Sequence, residues 1–210
     1  MKAFDDLIEV ARRLNDPEKG CPWDIKQTFP SLQKYILEEA CELIDAVDDN
    51  EDKAIIEELG DVLYVVIFYC KVAEREKRFS LDQVLEVLQE KLIRRHPHVF
   101  AEAACKTPQE VEKQWDEIKQ VEKKERTSAL DGIPRSLTAL ARAQKILAKL
   151  VHHENKELQE MVLVQPGNGC LGEQMIQLVL QAEKQGLDAE KILRQVLVKY
   201  EDAFKRLEKK

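Results

Sequence analysis

Apolar residues recur every three or four positions through almost the whole chain, and no stretch alternates apolar with polar as a half-buried strand does. Phe4, Leu7, Ile8, Ala11 and Leu14 form one such stripe, and Ile55, Leu59, Val62, Leu63, Val66 and Tyr69 form another. Starts and stops fall where the stripes need them. Asn15-Asp16-Pro17, followed by Gly20, ends the first. Ser31 reads as the N-cap of a second helix running to about Val47, and Asp48-Asp49-Asn50 breaks it. A third helix is predicted over about 52–77. Ser80-Leu81-Asp82-Gln83 reads as a capping box opening a fourth, which Pro97 ends. Thr107-Pro108-Gln109-Glu110 is a second box, with proline at the first helical position, opening a helix that holds Trp115. Helical periodicity resumes over Leu137–Val151. The expected fold is all-α, and the few glycines and prolines, set mostly at boundaries, agree with it.

The net charge of −7 argues against duplex nucleic acid as a partner, because that binding depends on a basic surface. A small phosphorylated ligand, held locally by cations or metal, is still compatible. The five cysteines are scattered and form no CxxC pair, so neither a disulfide framework nor a zinc ribbon is indicated. The longest apolar run, Val62 to Cys70, falls far short of the ~20 residues that span a bilayer, and the acidic amphipathic start is unlike a signal peptide. The expected compartment is the cytoplasm.

Two acidic motifs carry the candidate chemistry. In Glu38-Glu39-Ala40-Cys41-Glu42 and in Glu57-Glu58-Leu59-Gly60-Asp61, acids three apart share a helix face, pairing Glu39 with Glu42 and Glu58 with Asp61. Both pairs border apolar positions. Packing the two helices antiparallel through the short Asp48–Asp52 connection brings the pairs together, and inward-facing carboxylates repel unless a cation sits among them. Oxygen ligands without His or Cys suit Mg2+, with Mn2+ as a substitute. Solvated acidic faces are the commoner meaning of any one such motif. Gly60 costs a helix up to ~1 kcal/mol, which a close helix approach or room for a ligand explains.

Lys91, Arg94 and Arg95 close the fourth helix. Their position alone favours a helix-dipole reading, and they also match a phosphate clamp. His96 and His98 flank Pro97, lie off the helix, and read as turn residues or hydrogen-bond partners rather than as metal ligands. Trp115, near Ile118 and Lys119, reads as core packing, and Trp23 as a packed loop anchor.

Taken in order, GCPWD at 20–24, EEACE at 38–42, EELGD at 57–61, KLIRRHPHVF at 91–100 and WDEIK at 115–119 resemble the MazG family of nucleoside triphosphate pyrophosphohydrolases. SALDGIPRSLTALARAQKI at 128–146 is similar to the segment joining the halves of its longer members. The resemblance implies a helical bundle that forms a homodimer and cleaves nucleoside triphosphates to monophosphate and pyrophosphate. It implies Glu39, Glu42, Glu58 and Asp61 as Mg2+ ligands and Glu38 as the group that orients or deprotonates the attacking water. Lys91, Arg94 and Arg95 then hold phosphates, with Trp115 and Lys119 near the nucleotide. A role in nucleotide-pool housekeeping follows, the alternative being a catalytically weak nucleotide-binding regulatory module.

The expected organisation is a catalytic domain at 1–122, a linker at 123–136 and a diverged second repeat at 137–210. In that repeat Glu157-Leu158-Gln159-Glu160 answers to the first acidic motif, Gln174 and Gln177 stand at the Glu58 and Asp61 positions, and Lys199–Ala203 replaces the cationic turn with both arginines gone. Neutral amides do not balance a divalent cation, so the repeat reads as non-catalytic.

Overall fold

Thr28 rather than Ser31 opens the second helix. Its hydroxyl accepts from the Ser31 amide at 3.3 Å, and the Ser31 hydroxyl accepts from the Thr28 amide at 2.9 Å. Ser31 is therefore the reciprocal third residue of a capping box, and Pro30 sits harmlessly in the first turn, where no amide donor is required. The computed structural model describes residues 2–101, 105, 107–122, 124–125, 127–153, 155–157 and 170–208, and among these the regular structure is entirely helical.

The chain divides into two compact units, residues 1–119 and 120–210. In the first, α1 (Lys2–Leu14) is followed by a loop with a short 3-10 turn (Asp24–Lys26), then α2 (Phe29–Asp49), α3 (Asp52–Arg75), α4 (Leu81–Arg95), the four-residue α5 (Pro97–Phe100) and α6 (Pro108–Glu122). Helix α1 stops where Asn15 turns its side chain back to donate to the Ala11 carbonyl at 3.1 Å. The chain then recrosses the helix end so closely that a Cβ on Gly20 would overlap the Leu14 and Asp16 carbonyls. Only glycine fits there.

Asn50, in the left-handed conformation at φ 57°, makes the tight turn between α2 and α3. These two helices form the body of the unit, with α1 packed on α3. Leu32, Phe68 and Val72 are fully enclosed, surrounded by Phe29, Tyr35, Tyr64 and Tyr69. Burying a side chain such as Phe68 contributes about 1.5–3 kcal/mol. Ser80 and Gln83 form the expected box at the start of α4. That helix touches α3 only sparingly, and Leu85, Leu88 and Leu92 along it are each more than 40% exposed.

In the second unit, α7 (Ala139–Val151), α8 (Leu171–Lys184) and α9 (Ala189–Glu208) gather around Leu147, Val179, Leu180, Ala182 and Ala189. Gln144 pins the α8–α9 turn: its amide donates to Glu183 at 2.8 Å and to the Leu187 carbonyl at 2.7 Å, and accepts from the Ala189 amide. Helix α8 carries Gly172, Gln174 and Gln177. Lys199–Ala203 lies on α9. Leu158–Glu160, most of the acidic motif expected in this unit, lies outside the described residues, as do 123 and 126 of the expected linker. Within that stretch Asp131 closes a turn by accepting from the Thr127 and Ser128 amides.

Candidate functional site

The two acidic motifs meet because of their register about one turn. Glu39 precedes Asn50 by as many residues as Asp61 follows it, so an antiparallel hairpin at 1.5 Å per residue lifts both to the same height. Glu39, Glu58 and Asp61 each bring one carboxylate oxygen within 4.8 Å of the others. Among the described residues this is the group whose geometry suits a metal ion. Glu42, the fourth expected ligand, is not in that trio, although its charge and a hydrogen bond act on Glu58. Glu38 is exposed on α2, close enough for its charge to act on Glu39.

Electrostatics register the crowding. Desolvation pushes the Glu39 carboxyl above the usual carboxylate range, and the charges of Asp61, Glu42, Glu58 and Glu38 add to it. Glu58 is raised in the same way, first by desolvation and then by Glu42, Asp61 and Glu57. Its Oε2 is buried and accepts no hydrogen bond. An orphaned acceptor among like charges is what a hard divalent cation corrects, and a set made only of carboxylate oxygens fits Mg2+ or Mn2+. Gly60, between two of these acids, has nothing within 4 Å of where a Cβ would stand. A close helix approach within the chain is therefore not why it is glycine, and open space beside the acids remains.

Next to the acids lies an aromatic and polar cluster that the sequence reading had only partly singled out. Trp23 meets the Tyr35 ring edge-on at 5.6 Å and tilts against Phe68 at 6.2 Å, yet half of its surface is exposed. It anchors the loop without being enclosed. Asp24 is buried; desolvation pushes its carboxyl up, partly offset by a hydrogen bond with the Cys21 thiol. Tyr64, one helical turn beyond Asp61, has a buried hydroxyl without a partner, and burial, with Asp24 and Cys21 nearby, pushes it up to about 12. Across the base of the loop, Arg75 donates to the Gln27 carbonyl. Tyr64 and Arg75 carried no sequence signal, and Asp24 only its place in the GCPWD motif, because burial of a polar group depends on what packs over it.

The expected phosphate contacts lie on two segments. Lys91, Arg94 and Arg95 occupy the last turns of α4, with Lys91 and Arg95 half-buried and Arg94 exposed. Trp115 and Lys119 share one face of α6, where the ammonium stands 5.7 Å from the indole centroid. Trp115 is half-buried, and its Nε1 is enclosed without a hydrogen-bond acceptor. The two histidines, although they do not share a helix face, do come together. Their ring centroids are 5.6 Å apart, and His96 meets Trp115 edge-on at 5.1 Å. Their reading as hydrogen-bond partners fits the His96 Nδ1 contact to the Leu92 carbonyl and the His98 Nδ1 contact to Gln114.

An α-helical hairpin with converging carboxylates, followed by a cationic helix end, places the chain among all-α helical-hairpin proteins, with a donor set whose chemistry suits a hard cation. Comparison with known proteins narrows the class. The MazG nucleotide pyrophosphohydrolase domain matches residues 27–100, which include both acidic motifs and the cationic turn. The Thermotoga maritima nucleoside triphosphate pyrophosphohydrolase/pyrophosphatase MazG is 35% identical over 222 residues, covering 98% of this chain and 85% of that protein. The chain belongs to the MazG family. The Escherichia coli (strain K12) nucleoside triphosphate pyrophosphohydrolase is 45% identical over 148 residues, 70% of this chain, and the match spans 56% of that longer protein. The crystal structure of a MazG-related protein from Thermotoga maritima aligns with a TM-score of 0.48 at 29% identity, covering 57% of this chain and 99% of the other.

Proposed function

We propose that this protein hydrolyses nucleoside triphosphates to the monophosphate and pyrophosphate, by attack of water at the α-phosphorus. The observation that carries the reading is the convergence of Glu39, Glu58 and Asp61 on one point, with an orphaned Glu58 oxygen among them. Those three would hold Mg2+, with Glu42 beside them. When bound, the ion supplies Lewis-acid polarisation of the phosphoryl group and offsets the charge of the polyphosphate. Glu38, exposed one residue before Glu39, orients the attacking water and takes its proton. Lys91, Arg94 and Arg95 bind the departing pyrophosphate through charge-assisted hydrogen bonds, while Trp115 and Lys119 hold the nucleotide. Positioning and electrostatic stabilisation then supply most of the rate, as is general for phosphoryl transfer.

The fit to a housekeeping role is chemical: the site reads the triphosphate, which all nucleoside triphosphates share whatever their base. The second unit has Gln174 and Gln177 where the first has acids, which supports a scaffolding role for it. A homodimer is part of the same proposal, supported by the exposed leucine stripe on α4. Among the described residues no helix is long and apolar enough to cross a membrane. The deciding experiment measures pyrophosphate release from a panel of canonical and modified nucleoside triphosphates, with Mg2+ and with chelator. Mg2+-dependent formation of monophosphate plus pyrophosphate is expected. Absence of turnover in folded protein that still binds nucleotide overturns the enzymatic reading in favour of a regulatory module.

A further inference from the structure

Helix α6 carries two of the proposed nucleotide contacts, yet among the described residues no other helix packs extensively against it. Contacts that tie it to the rest of the first unit come from the pair of histidines around Pro97. His98 Nδ1 lies 3.0 Å from Gln114 Oε1, bridging sixteen residues of chain. His96 sets its ring edge-on to Trp115 at 5.1 Å, with the planes at 85°. His96 is in turn fixed from behind, because its Nδ1 lies 2.6 Å from the Leu92 carbonyl. A carbonyl only accepts, so that nitrogen carries the proton and the ring cannot rotate without losing the bond. The same holds for His98 against the amide oxygen of Gln114. Leu92 lies one residue after Lys91 and two before Arg94, so the anchor of the first imidazole is the cationic turn itself.

We infer that His96 and His98 are positioning residues that latch α6 onto the last turn of α4, so that Trp115 and Lys119 meet a bound triphosphate as one unit with Lys91, Arg94 and Arg95. This rests on the function proposed above. Neither histidine needs to touch substrate. Their action is to convert two separately placed segments into a preorganised surface, which lowers the ordering cost of binding. Pro97 serves the same end: it stops α4 at Arg95 and starts the four-residue α5, turning the two rings towards α6. The enclosed, unpartnered Nε1 of Trp115 provides a reporter, because loss of the latch exposes it to water.

The test compares His98→Ala, His98→Asn and Gln114→Ala with the wild type. An asparagine amide nitrogen sits near where the imidazole Nδ1 stood, so it can donate to Gln114 again. In His98→Ala, tryptophan emission should shift to the red with greater acrylamide quenching. KM for ATP should rise about 3- to 10-fold, the loss expected from one net hydrogen bond, with kcat and the Mg2+ requirement unchanged. Gln114→Ala should reproduce this without adding to it, and His98→Asn should restore both readouts. Unshifted emission together with unchanged KM in an active protein overturns the latch. So does a loss of kcat at constant KM. A wild-type protein that turns over no nucleotide removes the enzymatic reading instead, and the emission result alone then decides whether α6 is latched.

Discussion

Replacing Gly60 by alanine should stabilise the protein. Gly60 lies in the interior of α3 and is exposed, and an added methyl meets no atom within 4 Å. Its φ is not in the positive region, so alanine adopts the same backbone without strain. The gain is then the intrinsic helix preference alone, about 0.8–1 kcal/mol. In a chain of this size that corresponds to a rise in Tm of roughly 2–4 °C. Urea denaturation followed by circular dichroism, at several protein concentrations and with chelator present, measures it. A loss of stability would refute the reasoning, because it requires something to press on that face. If the destabilisation also weakens with dilution, a second copy of the chain is what presses there. Turnover in the same variant reads the other half of the argument: open space that a substrate enters becomes narrower by one methyl group, and kcat/KM falls while stability rises.

Glu58→Gln should lower Mg2+-dependent turnover at least about 100-fold with the circular dichroism spectrum unchanged, since it removes one charge from the cation's ligand set; wild-type turnover in that variant sinks the metal assignment. Glu39 and Glu58 are raised in the folded protein, so between the ordinary carboxyl range near 4.5 and their raised values the folded state binds more protons than the unfolded chain. The two acids therefore cost stability at neutral pH, and the cost is relieved as pH falls through that window. With chelator, the denaturation midpoint of a Glu39→Gln, Glu58→Gln double variant should exceed that of the wild type at pH 7.5 and approach it near pH 5; parallel pH profiles would refute the linkage. Phe68→Ala should cost about 3–5 kcal/mol, because the ring is 2% exposed at the centre of the first core, and a loss below about 1 kcal/mol in urea melts would mean that core is misread.

The helices of this protein are written locally. Apolar spacing, capping boxes at Ser80 and Thr107 and the breaks at Asn15, Asn50 and Pro97 depend on neighbours within a turn or two, so they were legible before any fold was known. The acidic motifs were legible for the same reason, since positions three apart on a helix share a face whatever lies opposite. Even there, competition between adjacent caps shifted one boundary: Thr28 and Ser31 could each cap α2, and only reciprocal geometry decided for Thr28. The height of the two motifs about Asn50 was likewise implicit in residue counting, once the helices were taken as an antiparallel hairpin.

Tertiary structure alone decided the rest, because burial and contact between distant residues depend on packing. It set Glu39, Glu58 and Asp61 as the converging trio and left Glu42 beside them. It placed a half-exposed Trp23 on the rings of Tyr35 and Phe68, sealed Asp24 and the Tyr64 hydroxyl, and left open space around Gly60. It also turned two histidines that share no helix face into one contact with α6. Sequence periodicity fixes which way a side chain points from its own helix; what it meets there is a property of the other helices.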